Sequence, residues 1–387
     1  MEEVLGELEA SAAAFPGSLP LYKIEKVSVD TFHLERAMAA ALKSRVTFAG
    51  MKDKRAKSIQ YMTPTSAKAR RPQRIDGDGF TALLAGYVDR PIVRRASSGN
   101  TFEIVIRECG LEVKSCVEEA YRMGAEMRIP NFFGYQRFGA REALTHMVGR
   151  ELVGGRFREA LNQILLRPRL ADGVRTREAR RLIAEGKYKE GHELLPSGQD
   201  IERMVVRRLM TRPDDAVGAI RAVPIKLRRF YVHAYQSYLF NRTVSLALKR
   251  GLDLSRVERG DNWAELSSDG LNINRVHGVR EPALEGTVPV VQLAGYAYRN
   301  YGSRFDTLLE QVMTEERVAP RDFYVEDMQE VSAEGGFRRP HLAMREASFT
   351  ISERATKMKF TLPRGGYATV LLREVIKPAD PVASGFV

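Results

Sequence analysis

An α+β fold, a mixed α/β layer of strands and helices, is predicted by three observations. The segment "TFEIVIREC" (101–109) alternates as a half-buried strand does, and "VKSCVEEAYRMGAE" after it has helical spacing. Near the other end "ATKMKFTLP" (355–363) alternates again, with Met358, Phe360 and Leu362 on one face and Lys357, Lys359 and Thr361 on the other. Between these stretches, from about Gly154, the composition changes to arginine-rich helical pieces. At 387 residues the chain is long enough for two domains, or for one domain that carries a large insertion.

In chain order, "FHLERAMAAALKS" (32–44) spaces its apolar residues as a helix does, and "VTFAG" follows as a short strand ended by Gly50. The lysine-rich stretch "MKDKRAK" therefore lies on a loop after a strand, where functional groups are usually carried. "DGDGF" (76–80) reads as a turn, since the acidic positions of a calcium loop do not follow it. The strand and helix of residues 101–126 come next, and "IPNFFGYQRFGAR" (129–141) then breaks the pattern with aromatics, glycines and arginines.

"GGRFREALNQILL", "TREARRLIAEGKYKEGHELL" and "DIERMVVRRLM" are amphipathic helices whose arginines serve first as solvated faces and second as RNA contacts. "FYVHAYQSYLFNRTVSLALKRG" is a longer helix ending at Gly251. Residues 252–345, richer in Gly, Pro and short strands such as "GTVPVVQLAGY", read as a separate small lobe. "RGGYATVLLREVIK" closes the pattern as a turn and a helix.

The formal net charge of +12 calls for an anionic partner, and its distribution narrows the choice. From Lys43 to Arg74 ten lysines and arginines stand against a single acid, Asp53. Such a concentration tracks a phosphate backbone and predicts salt-dependent binding. The apolar runs are too short for a membrane span, and the acidic start "MEEVLGELEA" has no secretory pattern. Cys109 and Cys116 form neither a zinc site nor a disulfide framework, which places the chain by default in a reducing cytoplasm.

Several chemistries are excluded by spacing. The six histidines, at 33, 146, 192, 233, 277 and 341, make no zinc-hydrolase or zinc-deaminase constellation. No GxxxxGK[ST] phosphate loop and no dinucleotide fingerprint occurs. What remains is Asp53. Lys52, Lys54 and Arg55 favour its ionised form, and an ionised carboxylate can act as a nucleophile toward a sugar carbon or as a base. On local sequence alone, the reading that local composition favours is an acid that merely holds two basic side chains in place. Arg373 in "LLRE" is a candidate basic partner from elsewhere in the chain.

"NFFGYQRFG" offers a complementary part. Phe132 and Phe133 beside glycines, with Gln136 and Arg137, are suited to stack on an extracted base and hold its phosphates. Adjacent residues of an extended chain face opposite ways, so one phenylalanine can be core while the other lines a cleft.

Four segments in this order, "FAGMKDKRAKSIQ", "NFFGYQRFGAREALTHMVGRELV", "AYQSYLFNRTVSLAL" and "FTLPRGGYATVLLRE", resemble the TruD family of tRNA pseudouridine synthases in its archaeal form. The resemblance implies an enzyme that isomerises uridine to pseudouridine in tRNA, usually uridine 13, without metal or organic cofactor. It implies a pseudouridine synthase catalytic fold, a mixed and largely antiparallel sheet with helices, plus an inserted TRUD-specific α/β domain that walls an RNA-binding cleft. The corresponding boundaries are residues 1–152 and 346–387 for the catalytic domain and 153–345 for the insertion.

By the same carry-over Asp53 is the catalytic aspartate, Phe133 stacks on the target base and Asn131 is its active-site neighbour. Leu362 falls in the motif beneath the site, and Lys52, Lys54, Gln136 and Arg137 complete the expected substrate contacts. The expected partner is tRNA, with no membrane, and the expected state is a monomer. One departure stands out. The family's early "EDFxVxE"-like segment has no counterpart ahead of "LYKIEKVSVDTF", and "PRDFYVEDM" (320–328) lies too late to supply it.

Overall fold

The computed structural model describes the chain except residues 7, 51, 53–55, 94–95, 108–110, 127, 140–141, 280–282, 353–354 and 387. Asp53 and Lys54, and the Arg55 beside them, lie outside the described residues. The chain divides into two compact units, each assembled from separate stretches. One comprises Met1–Ile129, Leu266–Asn274 and Leu342–Ala368, and the other Pro130–Glu265, Arg275–His341 and Thr369–Val387. The first division thus falls at 129/130 where the sequence suggested 152/153, because the aromatic segment and the helix after it pack among the later helices. Residues 252–345 are not a lobe of their own, being shared between the two units.

The first unit is built on a nine-stranded mixed sheet. Its strands are β1 (Glu2–Leu5), β2 (Leu19–Val27), β3 (Val46–Phe48), β4 (Lys57–Pro64), β5 (Arg74–Gly77), β6 (Phe80–Val88), β7 (Ser97–Arg107), β13 (Arg345–Ile351) and β14 (Ala355–Pro363). The order is β13-β14-β7-β1-β4-β2-β6-β5, with β3 beside β4. Every pairing is antiparallel except β1 with β4. The four-residue β1 was not anticipated. It sits in the middle of the sheet, where it joins β7 to β4.

Two helices, α1 (Thr31–Leu42) and α2 (Leu111–Ala125), accompany this sheet. Asp30 caps α1 by accepting a hydrogen bond from the His33 amide, and Lys43 ends it in the left-handed conformation. Leu34, Met38 and Leu42 on one face of α1 pack with Tyr22, Ile24, Met62 and Phe80 of β2, β4 and β6. The alternation read in "ATKMKFTLP" is the long β7–β14 ladder, from Arg107 opposite Ala355 to Gly99 opposite Pro363. At its end the strands approach so closely that a Cβ on residue 99 would stand 2.1 Å from the Leu362 carbonyl oxygen. Only glycine fits there.

Helices dominate the second unit. They are α3 (Thr145–Val153), α4 (Phe157–Leu165), α5 (Val174–Ala184), α6 (Tyr188–Leu194), α7 (Asp200–Thr211), α8 (Ala216–Arg221), α9 (Ile225–Lys249) and α10 (Arg304–Glu315), joined by nearly all of α11 (Ala368–Ile376). Short strands β8 (Trp263–Leu266), β9 (Ile273–His277), β10 (Val288–Pro289), β11 (Val291–Leu293) and β12 (Gly336–Arg338) lie between α9 and β13 in sequence; β10 pairs with β8, and β12 with β11. The 25-residue α9 is the spine of this unit. Its Val232, Tyr235, Leu239, Phe240 and Val244 are all buried, and α3 crosses it at Gly149, where a Cβ would meet the Tyr231 carbonyl oxygen at 2.0 Å. No helix among the described residues is long and apolar enough to cross a membrane.

The arginines of the helical pieces divide into two groups. Arg180 is buried against Asp172 at 2.8 Å, and Arg169 reaches Glu202 at 2.6 Å, so both are internal struts. Arg181, paired with Glu178 at 2.6 Å, lies on an exposed face where such a pair contributes about 0–1 kcal/mol.

Two histidines, His341 buried and His146 half-buried, tie stability to pH. Burial holds His146 down to about 4, stacked on Tyr238, and holds His341 down to about 3, where Arg339 donates to Nε2 and Nδ1 donates to the Leu254 carbonyl. Each value lies below the ordinary 6.5, so the unfolded chain binds the extra protons. Their contribution is full above pH 6.5 and is lost as the pH falls through 6.5 toward 4. In a His146→Phe variant, which keeps the ring stack, the thermal midpoint should drop less between pH 7 and pH 4 than in the parent. Equal drops would remove His146 from the account.

Candidate active site and nucleic-acid interface

In the first unit Gly50 and Lys52 are held from several sides. The Gly50 carbonyl accepts from Gln60 Nε2 at 2.9 Å. The Lys52 amide donates to Thr31 Oγ1 at 3.1 Å, and the Lys52 carbonyl accepts from the buried ammonium of Lys26 at 3.2 Å. Lys26 also donates to the Val29 carbonyl at 2.7 Å. Thr31 is the first residue of α1 and Lys26 lies on β2, so sheet and helix together hold Lys52.

The Lys52 side chain turns inward. Its ammonium donates to Glu3 Oε1 and to Asn100 Oδ1, both at 2.8 Å, and the Lys52 and Glu3 side chains are only 4% and 0% exposed. The other oxygen of Glu3 accepts from the Tyr61 amide at 3.1 Å. Lys52 was expected to contact RNA; its buried charge is instead consumed by the sheet. Leu362, grouped with the substrate-binding residues although its motif was expected beneath the site, proves to be a packing residue. It is fully buried on β14 opposite Asn100, so it supports the β7 residue that meets Lys52 and offers no surface to a substrate.

The other expected contacts lie in the second unit, where "NFFGYQRFG" and α9 come together. Asn241, within "QSYLFN", uses its whole amide on one residue: Oδ1 accepts from the Phe133 amide at 2.8 Å, and Nδ2 donates to the Phe133 carbonyl at 3.0 Å. Phe133 is half-buried, edge-on to Phe240 at 5.5 Å between centroids. The Arg338 guanidinium stands 4.0 Å from the Phe133 ring centre, and Arg137 stands 5.5 Å from it.

Asn131 proves to be buried, with both ends of its amide engaged. Its Nδ2 donates to the Arg339 carbonyl at 3.1 Å, and its Oδ1 accepts from Arg338 at 2.6 Å. Its role here is to place Arg338 on Phe133. Gln136 is exposed on a short 3-10 turn, Tyr135–Phe138, and Arg137 donates to Ser237 Oγ at 3.0 Å.

Phe133 and Asn241, but not Asn131, Gln136, Arg137 or Arg338, line a cavity of about 430 Å³, within the ordinary range of ligand pockets. Phe132, Phe133, Tyr135, Phe138 and Tyr238 supply aromatic wall, and Arg242, Lys249 and Arg373 supply cations beside the carboxylates of Glu315 and Glu374. Arg373, the candidate partner for Asp53, lies 5.7 Å from the Tyr135 ring centre. Arg242 is bound to Glu316 at 2.7 Å, and burial followed by Glu316 pushes the Tyr238 phenol up, which keeps it neutral. Aromatic faces beside cations are the lining that an unstacked nucleotide requires. The sequence reading missed Asn241, Arg338 and the whole Glu3 contact. Asn241 stood inside a motif already singled out, whereas Arg338 had no signal in its spacing.

The family model of tRNA pseudouridine synthase D (TruD) matches residues 1–375. The chain belongs to the TruD family. Among curated TruD relatives it is 33% identical over 370 residues to the "Probable tRNA pseudouridine synthase D" of Methanopyrus kandleri, covering 93% of this chain and 86% of that one. It is 32% identical over 366 residues to the protein of the same name from Pyrobaculum arsenaticum, covering 94% and 84%. The crystal structure of the Methanosarcina mazei chain assigned to TruD superimposes with a TM-score of 0.80 at 25% identity, over 97% of this chain and 91% of that one. The TruD fold expected from the motifs, mixed α+β with a large mixed sheet, is therefore the fold of this chain, and the family is one of isomerases.

Asn241→Ala removes both hydrogen bonds that hold the Phe133 backbone. It should destabilise the protein by about 1–3 kcal/mol in urea denaturation. A loss under about 0.5 kcal/mol would show that Phe133 is positioned without it.

Proposed function

We propose that the chain isomerises a uridine of tRNA to pseudouridine, with uridine 13 as its site and Asp53 as the reacting carboxylate. The observation that carries this reading is the whole-length match to the TruD family, and Asp53 lies within "FAGMKDKRAKSIQ", a segment that resembles that family. The clamped backbone at Gly50 and Lys52 supports it, since a reacting side chain needs a fixed neighbour. The aromatic and cationic cavity beside Phe133 supports it from the substrate's side.

In this reading the basic surface gathers tRNA through its phosphates, which fixes the register without reading sequence. The target uridine leaves the stack at a cost of roughly a few kcal/mol, offset by contacts in the pocket. Phe133 stacks on the extracted base, with the Arg338 guanidinium already lying over its ring. Asp53 attacks C1′ of the ribose or takes its 2′ proton as the bond from C1′ to N1 breaks. The uracil turns and rejoins C1′ through C5; the C5 proton leaves and N1 gains one, so no atom is lost from the nucleotide. Both routes use the same carboxylate.

Asp53→Asn should retain tRNA binding while tritium release from C5-labelled uridine falls at least about 1,000-fold. Activity within tenfold of the parent would sink the assignment. Phe133→Ala should lower the rate by roughly 10-fold or more through lost stacking, and an unchanged rate would make Phe133 a core residue alone.

A further inference from the structure

We propose that Lys52 is a positioning residue, and that the buried set Glu3, Lys52 and Asn100 anchors the backbone from which Asp53 follows. This rests on the reading of Asp53 as the reacting carboxylate. The three residues come from β1, from the loop that leads into Asp53, and from β7. They meet where β1 lies between β4 and β7, and both bonds of the ammonium are 2.8 Å long.

A lysine in a loop facing RNA would normally be solvated. Burying one requires an anion and satisfied donors, or the charge destabilises the fold. Glu3 and Asn100 meet that requirement, and Glu3 is itself completed by the Tyr61 amide. The backbone of Lys52 is bracketed at the same time by Thr31 and Lys26, the latter a fully buried ammonium. With side chain, amide and carbonyl all held, the bond from Lys52 to Asp53 starts from a fixed point. Such pre-organisation acts on the reacting step, whereas tRNA contacts act on binding.

A structural ion pair and a positioning ion pair are separable because a buried pair can be exchanged for apolar residues of similar volume at little cost in stability. Lys52→Met alone leaves Glu3 buried without its cation. It should lower the thermal midpoint by roughly 10 °C and the turnover number by about 100-fold. The double variant Glu3→Leu with Lys52→Met should regain most of the midpoint, yet turnover should stay at least about 30-fold down with the tRNA dissociation constant within about twofold.

Recovery of turnover together with stability would reduce the pair to a structural one, and a matching loss of tRNA affinity would return Lys52 to RNA contact. If the double variant does not regain stability, Glu3→Gln decides, because it removes the charge and keeps the acceptor. A turnover loss of about tenfold or more, measured well below its midpoint, supports the proposal, and an unchanged turnover overturns it. Asp53→Asn is assayed alongside. If that variant stays active the premise itself fails, whereas a dead Asp53→Asn beside a fully active pair variant removes only the anchor.

Discussion

A positive charge enclosed by a sheet needs a counter-charge within hydrogen-bond reach, and for Lys52 that counter-charge is Glu3. The contact constrains more than two side chains. For Glu3 to arrive, β1 must occupy the slot between β7 and β4, parallel to one and antiparallel to the other. For Asn100 to arrive, β7 must keep its register with β14, which needs a glycine at 99 and places Leu362 opposite Asn100. The nine-stranded sheet is thus arranged around one ammonium group, and the residue after that lysine is Asp53.

The second unit follows the same logic with an amide in place of a charge. Asn241 projects from α9 and holds both backbone polar groups of Phe133. Asn131 holds Arg338, whose guanidinium lies over the Phe133 ring. Aromatic surface is slippery unless its backbone is pinned, and here a single helix does the pinning. In both units, polar groups of a kind that suits RNA contact are spent on holding the neighbours that are proposed to make it.

Elements with a long hydrophobic period were legible in the sequence. The spacing of Leu34, Met38 and Leu42 marked α1, the alternation of Met358, Phe360 and Leu362 marked β14, and α9 ended as read, near Gly251. The motifs also identified the family. β1 escaped notice because four residues carry almost no period, and because two of them are acids. Its burial depends on partners at Lys52, Ile59 and Thr101, far along the chain. The inward turn of Lys52 escaped for the same reason, since a lysine in a basic run has the composition of a surface residue. Asn131 and Asn241 could be recognised as motif members, but the direction of an amide is decided by tertiary contacts.

The account's central claim is catalytic, and product mapping tests it most directly. Unmodified tRNA transcripts would be incubated with the purified chain, with no cofactor added, and pseudouridine located by chemical labelling and primer extension. The account predicts one strong new pseudouridine, at position 13. Salt-dependent tRNA binding with no pseudouridine at any position would contradict it, and would leave an RNA-binding protein with the fold of an isomerase.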